Sequence, residues 1–379
     1  MTKFRWHILI ALGAVAAWIA VLLVAPRESD FMNFYAAGSL LLRHPHSLYS
    51  LTAQWTVEKA LGKASLATFA HPAPEALLFA PLTLLSYHTA FLAWSAINLC
   101  LFVLSGWLLR DEIRNLTPGA RYVLLAFVWW PIGYGLMLGQ DHGLFLLLWV
   151  LAWRTWKADD EFACGLWIGL ALLRYPFALP MLFFFVALRK WRLLKGAAVS
   201  GIALVIASFL IVGPALIPSY LKLLRFTALI SDAGVIHLTP TIRGLAVLIL
   251  PSHSNAVAAA GIVGLLAWSL VVVQGMERLN AFCFAVAISL LVDPHAFYYD
   301  LTILTIPLML SLKKYPKSAL LPLVLCAFDV AIVWTHVYFF VAFCPVLLVW
   351  AIWMGCAFHK EESGLEAPLE FSHSASGSG

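Results

Sequence analysis

The chain has 379 residues, 63% of them hydrophobic and only 11% charged, with a mean hydropathy of +0.91. Soluble domains carry about a quarter of their residues as charges, so this composition excludes a soluble enzyme and describes a chain whose solvent is mostly lipid. The net charge of +5 sits in short clusters between apolar runs, which marks orientation in a bilayer and not a nucleic-acid surface.

The apolar run 7–25 follows Lys3 and Arg5. It is longer than a signal-peptide core and no small-x-small cleavage site follows, so it reads as a first membrane helix. If basic residues gather on the cytoplasmic side, the clusters at Lys3/Arg5, Arg110–Arg121, Arg154/Lys157, Arg189–Lys195, Glu277/Arg278, Lys313–Lys317 and His359/Lys360 force the chain out and back between them. About twelve crossings result, with both termini cytoplasmic, near 7–25, 88–109, 120–138, 143–156, 161–174, 177–190, 195–212, 255–276, 279–292, 300–312, 317–335 and 337–357. The run 74–86 breaks the parity of that count and is expected to be a partial or re-entrant helix. The expected fold is all-α, a polytopic bundle forming a single domain over 1–360. Residues 361–379, ending in Ser-His-Ser-Ala-Ser-Gly-Ser-Gly, read as a flexible tail or expression scar.

Polar content then collects on the external face. The first long connection, 26–72, holds a candidate interfacial helix from Asp30 to Leu42, with Phe31, Phe34, Tyr35 and Leu42 on its apolar side. A second candidate spans Leu51 to Leu61. Another long connection covers 213–254, and short turns fall at Gly139–His142, Arg174–Pro176 and Asp293–Asp300. The six cysteines lie inside apolar runs without metal or disulfide spacing and read as small core residues. Gly165 and Gly169 form a small-xxx-small pair that suits close helix approach.

Ionisable residues at membrane depth are costly and need a reason. Asp30 stands where the first helix emerges, either as a cap for the next helix or as a general base made more basic by partial desolvation. Arg174 suits phosphate recognition, with a snorkelling side chain as the alternative. The segment Asp293-Pro294-His295-Ala296-Phe297-Tyr298-Tyr299-Asp300 packs two carboxyls, an imidazole and two phenols into eight residues. Gln140 and Asp141 make another polar break, with Asp141 either a helix cap or a site residue, and Arg243 adds a donor beside Thr239, Thr241 and His237. Phosphate-loop, zinc-protease and serine-hydrolase motifs are missing from the sequence.

Several of these stretches, taken in order, resemble glycosyltransferase family 87, the polyprenyl-phosphate-mannose-dependent mannosyltransferases of GT-C architecture. They are Asp30-Phe31 with Tyr35-Ala36-Ala37 and Leu48-Tyr49, His71-Pro72-Ala73-Pro74 before Ala80-Pro81-Leu82, Gly139-Gln140, Arg174-Tyr175-Pro176, Arg243-Gly244, and Pro294-His295 with Tyr298-Tyr299-Asp300-Leu301. The family usually has an aromatic residue where His71 stands and often Lys where Arg174 stands. The resemblance implies Asp30 as catalytic base and His295 as a second functional residue near the donor phosphate. It implies Arg174 as phosphate ligand, and Arg243 is a second-rank candidate for contact with the donor phosphate. Gln140, Asp141, Tyr298, Tyr299, Asp300, Tyr35 and His71 are then candidate substrate contacts.

The expected partners are a polyprenyl-phosphate sugar, a glycolipid or glycan acceptor and membrane lipids. The expected location is a bacterial inner membrane with the active site facing outward. Transfer is expected to need no metal, although Asp30, Asp141, Asp293 and Asp300 could offer oxygen ligands. A secondary transporter or lipid flippase is the competing class, and a non-catalytic assembly protein a third.

Overall fold

The computed structural model describes residues 30–62, 68–234, 238–315, 324–325 and 340–363. The expected crossings 7–25 and 317–335, His237, Cys326 and nearly all of the tail lie outside the described residues, apart from Val324 and Leu325. Every regular element among the described residues is helical. In chain order they are α1 (Phe31–Arg43), α2 (Leu51–Ala60), α3 (Ala73–Phe79), α4 (Tyr87–Leu108), α5 (Arg110–Arg114), α6 (Pro118–Leu138), α7 (His142–Lys157), α8 (Glu161–Leu170), α9 (Tyr175–Ala187), α10 (Trp191–Val212), α11 (Leu216–Gly234), α12 (Ile242–Ile249), α13 (Ser254–Val273), α14 (Arg278–Val292), α15 (Thr305–Lys314) and α16 (Phe343–Ser363).

Five apolar stretches among the described residues are long enough to cross a membrane: Tyr87–Leu108, Pro118–Leu138, Glu161–Ala187, Trp191–Val212 and Pro251–Val273. Their outward faces are apolar, as with Val103, Ile206, Leu210, Val263 and Val271. A surface of that kind is stable against lipid and not against water. The protein is therefore a membrane protein, all-helical among the described residues.

Although Glu161–Ala187 is long enough for one straight span, its two ends meet. Lys190 Nζ lies 3.0 Å from Glu161 Oε1, and Trp156, at the end of α7, packs on Phe185 at 5.1 Å between ring centroids. The chain runs up α8, bends through a 3-10 turn at Ala171–Arg174, and returns down α9. The sequence reading of two short helices with a tight turn between them describes this geometry better than length and hydropathy do.

The same end of the bundle collects further ion pairs. Lys157 reaches Glu112 at 2.7 Å, Lys314 reaches Glu277 at 3.3 Å, and Arg278 pairs with Asp159 and stacks on Trp156 at 4.0 Å. The opposite end carries Asp30, Asp141, Arg174 and Asp300. Helices α4 and α6–α10 run between these two ends in alternating directions. The main apolar core lies between them, with Trp149, Phe177, Phe184, Phe282 and Phe284 fully buried.

A second apolar cluster caps the site end, formed by α1–α3, the first turns of α4, and Val212, Leu216 and Leu223 from the end of α10 and from α11. Here the structure corrects the sequence reading. The expected interfacial helix is α1, but its residues from Phe31 to Leu40 are all buried and only the last turn, with Leu42 56% exposed, reaches the surface. The cause is close packing: a Cβ on Gly38 would stand 2.7 Å from the backbone of Phe79, so α1 is pressed into α3. The run 74–86 forms α3 and a 3-10 turn at Ala80–Leu84. It does not cross, because Tyr87, the first residue after it, packs on Phe31 with ring centroids 5.7 Å apart.

Gly165 and Gly169 do set a helix contact. A Cβ on Gly165 would lie 1.9 Å from the Leu193 carbonyl oxygen, and one on Gly169 would lie 2.0 Å from Ser200 Oγ. Gly165→Ala is therefore expected to force α8 and α10 apart and cost about 1–3 kcal/mol, the usual range for overpacking. It should lower the midpoint of thermal unfolding in detergent, and an unchanged midpoint would contradict this packing.

Candidate active site

The site is built on three chain reversals and the head of α1. Gly139 ends α6 with φ 71°, a left-handed conformation that suits glycine. A Cβ there would stand 2.5 Å from Phe31 Cβ, so the small residue lets α1 approach the turn. Trp94 on α4 donates from Nε1 to the carbonyls of Gly139 at 3.1 Å and Gln140 at 3.2 Å. Asn98 accepts from the Gly143 amide at 3.1 Å. The turn is thereby held from below, and the Gln140 and Asp141 side chains face the same centre.

Arg174 occupies that centre. Its Nε donates to Asp141 Oδ2 at 3.2 Å, Nη1 to Asp300 Oδ1 at 2.5 Å, and Nη2 to Gln140 Oε1 at 3.0 Å and to Asp141 Oδ1. The guanidinium also lies over the rings of Phe145 and Tyr299, 5.5 Å from each centroid. Gln140 passes the contact on, since its Nε2 donates to Asp30 Oδ2 at 2.7 Å. One continuous chain of hydrogen bonds thus runs from Asp300 through Arg174 and Gln140 to Asp30.

The capping alternative left open by the sequence does not hold for either aspartate. Asp30 and Asp141 each stand at a helix N-cap, yet neither side chain makes a cap bond. Their carboxylates are turned into the site, where Asp30 meets Gln140 and Asp141 meets Arg174. Burial raises the Asp30 carboxyl above its ordinary value, against the opposing pull of the Gln140 hydrogen bond and the Arg174 charge. Burial would also raise Asp141, but the adjacent guanidinium overrides it and holds that group at about 2. Asp293 is pushed up to about 7 by burial, while accepting from the His295 amide at 2.7 Å.

His71 belongs to the same site through Glu75, with Nδ1 2.9 Å from Glu75 Oε2. Glu75 is fully buried on the first turn of α3 and is the residue the sequence reading passed over. A lone carboxylate four residues after a histidine inside an apolar run was the signal available.

The other candidates have different surroundings. Tyr35 donates its hydroxyl to the Leu85 carbonyl at 2.9 Å, a bond that ties α1 to the start of α4. Tyr298 is buried against Phe343 and Tyr134, at 5.5 and 5.7 Å. Asp300 accepts from the Phe297 amide at 2.8 Å as well as from Arg174, which fixes the Asp293–Asp300 turn. His295 is half-buried in that turn. Arg243 is half-buried on α12, which packs on α13 and α16, and Thr241 caps that helix.

The model of glycosyltransferase family 87 matches residues 69–307. The chain belongs to glycosyltransferase family 87. No curated protein and no solved structure matches it significantly. The matched span takes in His71, Glu75, Gln140, Asp141, Arg174 and the Asp293–Asp300 turn. Asp30 precedes the span, and what joins it to the family's segment is the Gln140 hydrogen bond. As a glycosyltransferase the protein has a sugar donor and an acceptor as its substrates.

Arg174→Ala would leave Asp141 and Asp300 buried and uncompensated. Removing one partner of a buried pair costs about 3–5 kcal/mol, so this variant is expected to lose thermal stability before any effect on substrate can be read. Thermal unfolding of the purified variant checks this, and a wild-type midpoint would show that the guanidinium is not holding the site together.

Proposed function

We propose that the protein transfers a sugar from a polyprenyl-phosphate donor to a hydroxyl of a glycolipid or glycan, with inversion at the anomeric carbon and Asp30 as general base. Mannose is the sugar that the family resemblance suggests. The observation that carries the reading is the Asp30 carboxylate, turned away from its own helix and held by Gln140 within the field of Arg174.

In this reading the acceptor oxygen attacks the anomeric carbon while Asp30 removes its proton. The bond between that carbon and the phosphate oxygen breaks, and polyprenyl phosphate leaves with the electron pair. The leaving group is already a phosphate, so no strong general acid is required at that oxygen. Arg174, with His295 and Arg243, supplies positive charge toward the leaving phosphate. Tyr299, Asp300, Asp141 and His71 shape the sugar site around it. A membrane location follows from the substrate, because an isoprenoid chain reaches the site from lipid. About twelve crossings, cytoplasmic termini and an outward-facing site in a bacterial inner membrane complete the proposal.

The test follows release of polyprenyl phosphate by detergent-purified protein from a panel of polyprenyl-phosphate sugars. Asp30→Asn is expected to lower turnover by about 10²–10⁴-fold, the usual contribution of a positioned base, at an unchanged unfolding midpoint. Retained turnover in that variant would remove Asp30 from the mechanism.

Asp30 must be ionised to accept a proton, and burial raises its pKa. Transfer is therefore expected to fall on the acid side at a pH above the ~4 of an ordinary carboxylate. A kcat/KM profile that stays flat down to that value would contradict the assignment.

A further inference from the structure

The site end is rich in carboxyl groups. Asp30, Glu75, Asp141, Asp293 and Asp300 all lie within electrostatic reach of the single guanidinium of Arg174. His71 is a basic group in the same web, 2.9 Å from Glu75. The transfer proposed above brings in another anion, the donor phosphate, and Arg174 already spends its donors on Asp141, Asp300 and Gln140.

We propose that His71, Glu75 and Asp141 form a binding site for one divalent cation of the Mn²⁺ or Mg²⁺ type. The ligand atoms of these three residues lie within 4.8 Å of one another. His71 Nδ1 and Glu75 Oε2, at 2.9 Å, are spaced like neighbouring ligands of an octahedral ion, which stand about 3 Å apart when the bonds are about 2.1 Å. Glu75 is 0% exposed, and neither of its carboxylate oxygens has a hydrogen-bond partner among the described residues. The short approach of Oε2 to the imidazole thus lacks hydrogen-bond alignment. A buried carboxylate in that condition is costly unless a cation or proton completes it.

The three ligands are also held in place before any ion arrives. His71 sits between the rings of Phe34 and Phe69, each 5.4 Å away, and its carbonyl accepts from the Tyr49 hydroxyl at 2.9 Å. The preceding residue, Ala70, accepts from Tyr220 of α11 at 2.8 Å. Glu75 is fixed by the packing of α3 against α1, and Asp141 by Arg174. The contacts with Arg174 use one lone pair on each Asp141 oxygen and leave another for a metal. An imidazole with two carboxylates suits Mn²⁺, while purely oxygen sites favour Ca²⁺. Bound here, the ion would add positive charge beside Arg174, where the donor phosphate is proposed to lie.

The ligand set rests on geometry alone, and only its role toward phosphate rests on the proposed transfer. The test therefore needs no donor. The full-length protein in detergent, stripped with EDTA, is titrated with MnCl₂ and followed by electron paramagnetic resonance. Wild type is expected to take up one Mn²⁺ per chain with nitrogen coupling from an imidazole. Glu75→Gln should weaken binding at least tenfold, His71→Gln should remove the nitrogen coupling, and Asp111→Asn, exposed at the other end of the bundle, should bind like wild type. The proposal is overturned if wild type binds no stoichiometric Mn²⁺, or if the nitrogen coupling survives in His71→Gln. Unchanged affinity in a Glu75→Gln protein of wild-type unfolding midpoint also overturns it. If Glu75→Gln does not fold, the wild-type and His71→Gln spectra decide. Loss of Mn²⁺ binding would leave the transfer reaction open to its own assay, and loss of transfer would leave the ion site standing.

Discussion

One guanidinium in a nest of carboxyl groups organises this protein's site. Arg174 is drawn toward Asp141 and Asp300 by charge and shape together, since a planar fork of donors meets carboxylate oxygens on two sides. Asp141 follows α6 and opens α7, Arg174 joins α8 to α9, and Asp300 stands between α14 and α15. The ion cluster therefore ties three reversals of the chain at one end of the bundle. Such a cluster is not an efficient source of stability, because each charge has first to be taken out of water. What it supplies is a unique arrangement, in which Gln140 and then Asp30 have one position each.

Close backbone approach makes that arrangement possible. Gly139 and Gly38 each stand where a Cβ would collide with α1 or its neighbour, and Gly165 does the same between α8 and α10. In a lipid solvent the hydrophobic effect does not drive helix against helix, so small residues and polar contacts take over that role. The aromatic cluster around Phe31, Phe34 and Phe79 then seals α1 over the site, with Phe34 and Phe79 stacked at 4.5 Å. The carboxylate at the head of α1 is half-buried for that reason, and its raised basicity is a consequence of the packing.

Much of this was legible in the sequence. Periodicity and the spacing of basic clusters located α4, α6 through α10, α13 and α14 to within a few residues, because hydropathy and charge are strong local signals in a membrane chain. The scarcity of charge singles out Asp30, Arg174, His295 and Asp300, whereas Asp141 reads equally well as a helix cap. The sequence could not say that α1 is buried from Phe31 to Leu40, since a helix with polar and apolar residues reads as amphipathic until its neighbours are placed. Nor could it show that Arg174 is saturated by carboxylates, because residues 141 and 300 meet it only through the fold. Glu75 was overlooked inside an apolar run, although its spacing from His71 is that of two residues on one helical face.

The link from the ion cluster to the chemistry runs through a single side chain, Gln140. A double-mutant cycle on kcat/KM for polyprenyl-phosphate release, using Gln140→Leu, Asp30→Asn and the pair, measures that link directly. Gln140→Leu alone should lower kcat/KM by about a hundredfold, the scale of a misplaced reacting group. On top of Asp30→Asn it should add almost nothing, because the two side chains act as a unit. Equal losses from Gln140→Leu in both backgrounds would contradict the account, since Gln140 would then act independently of Asp30.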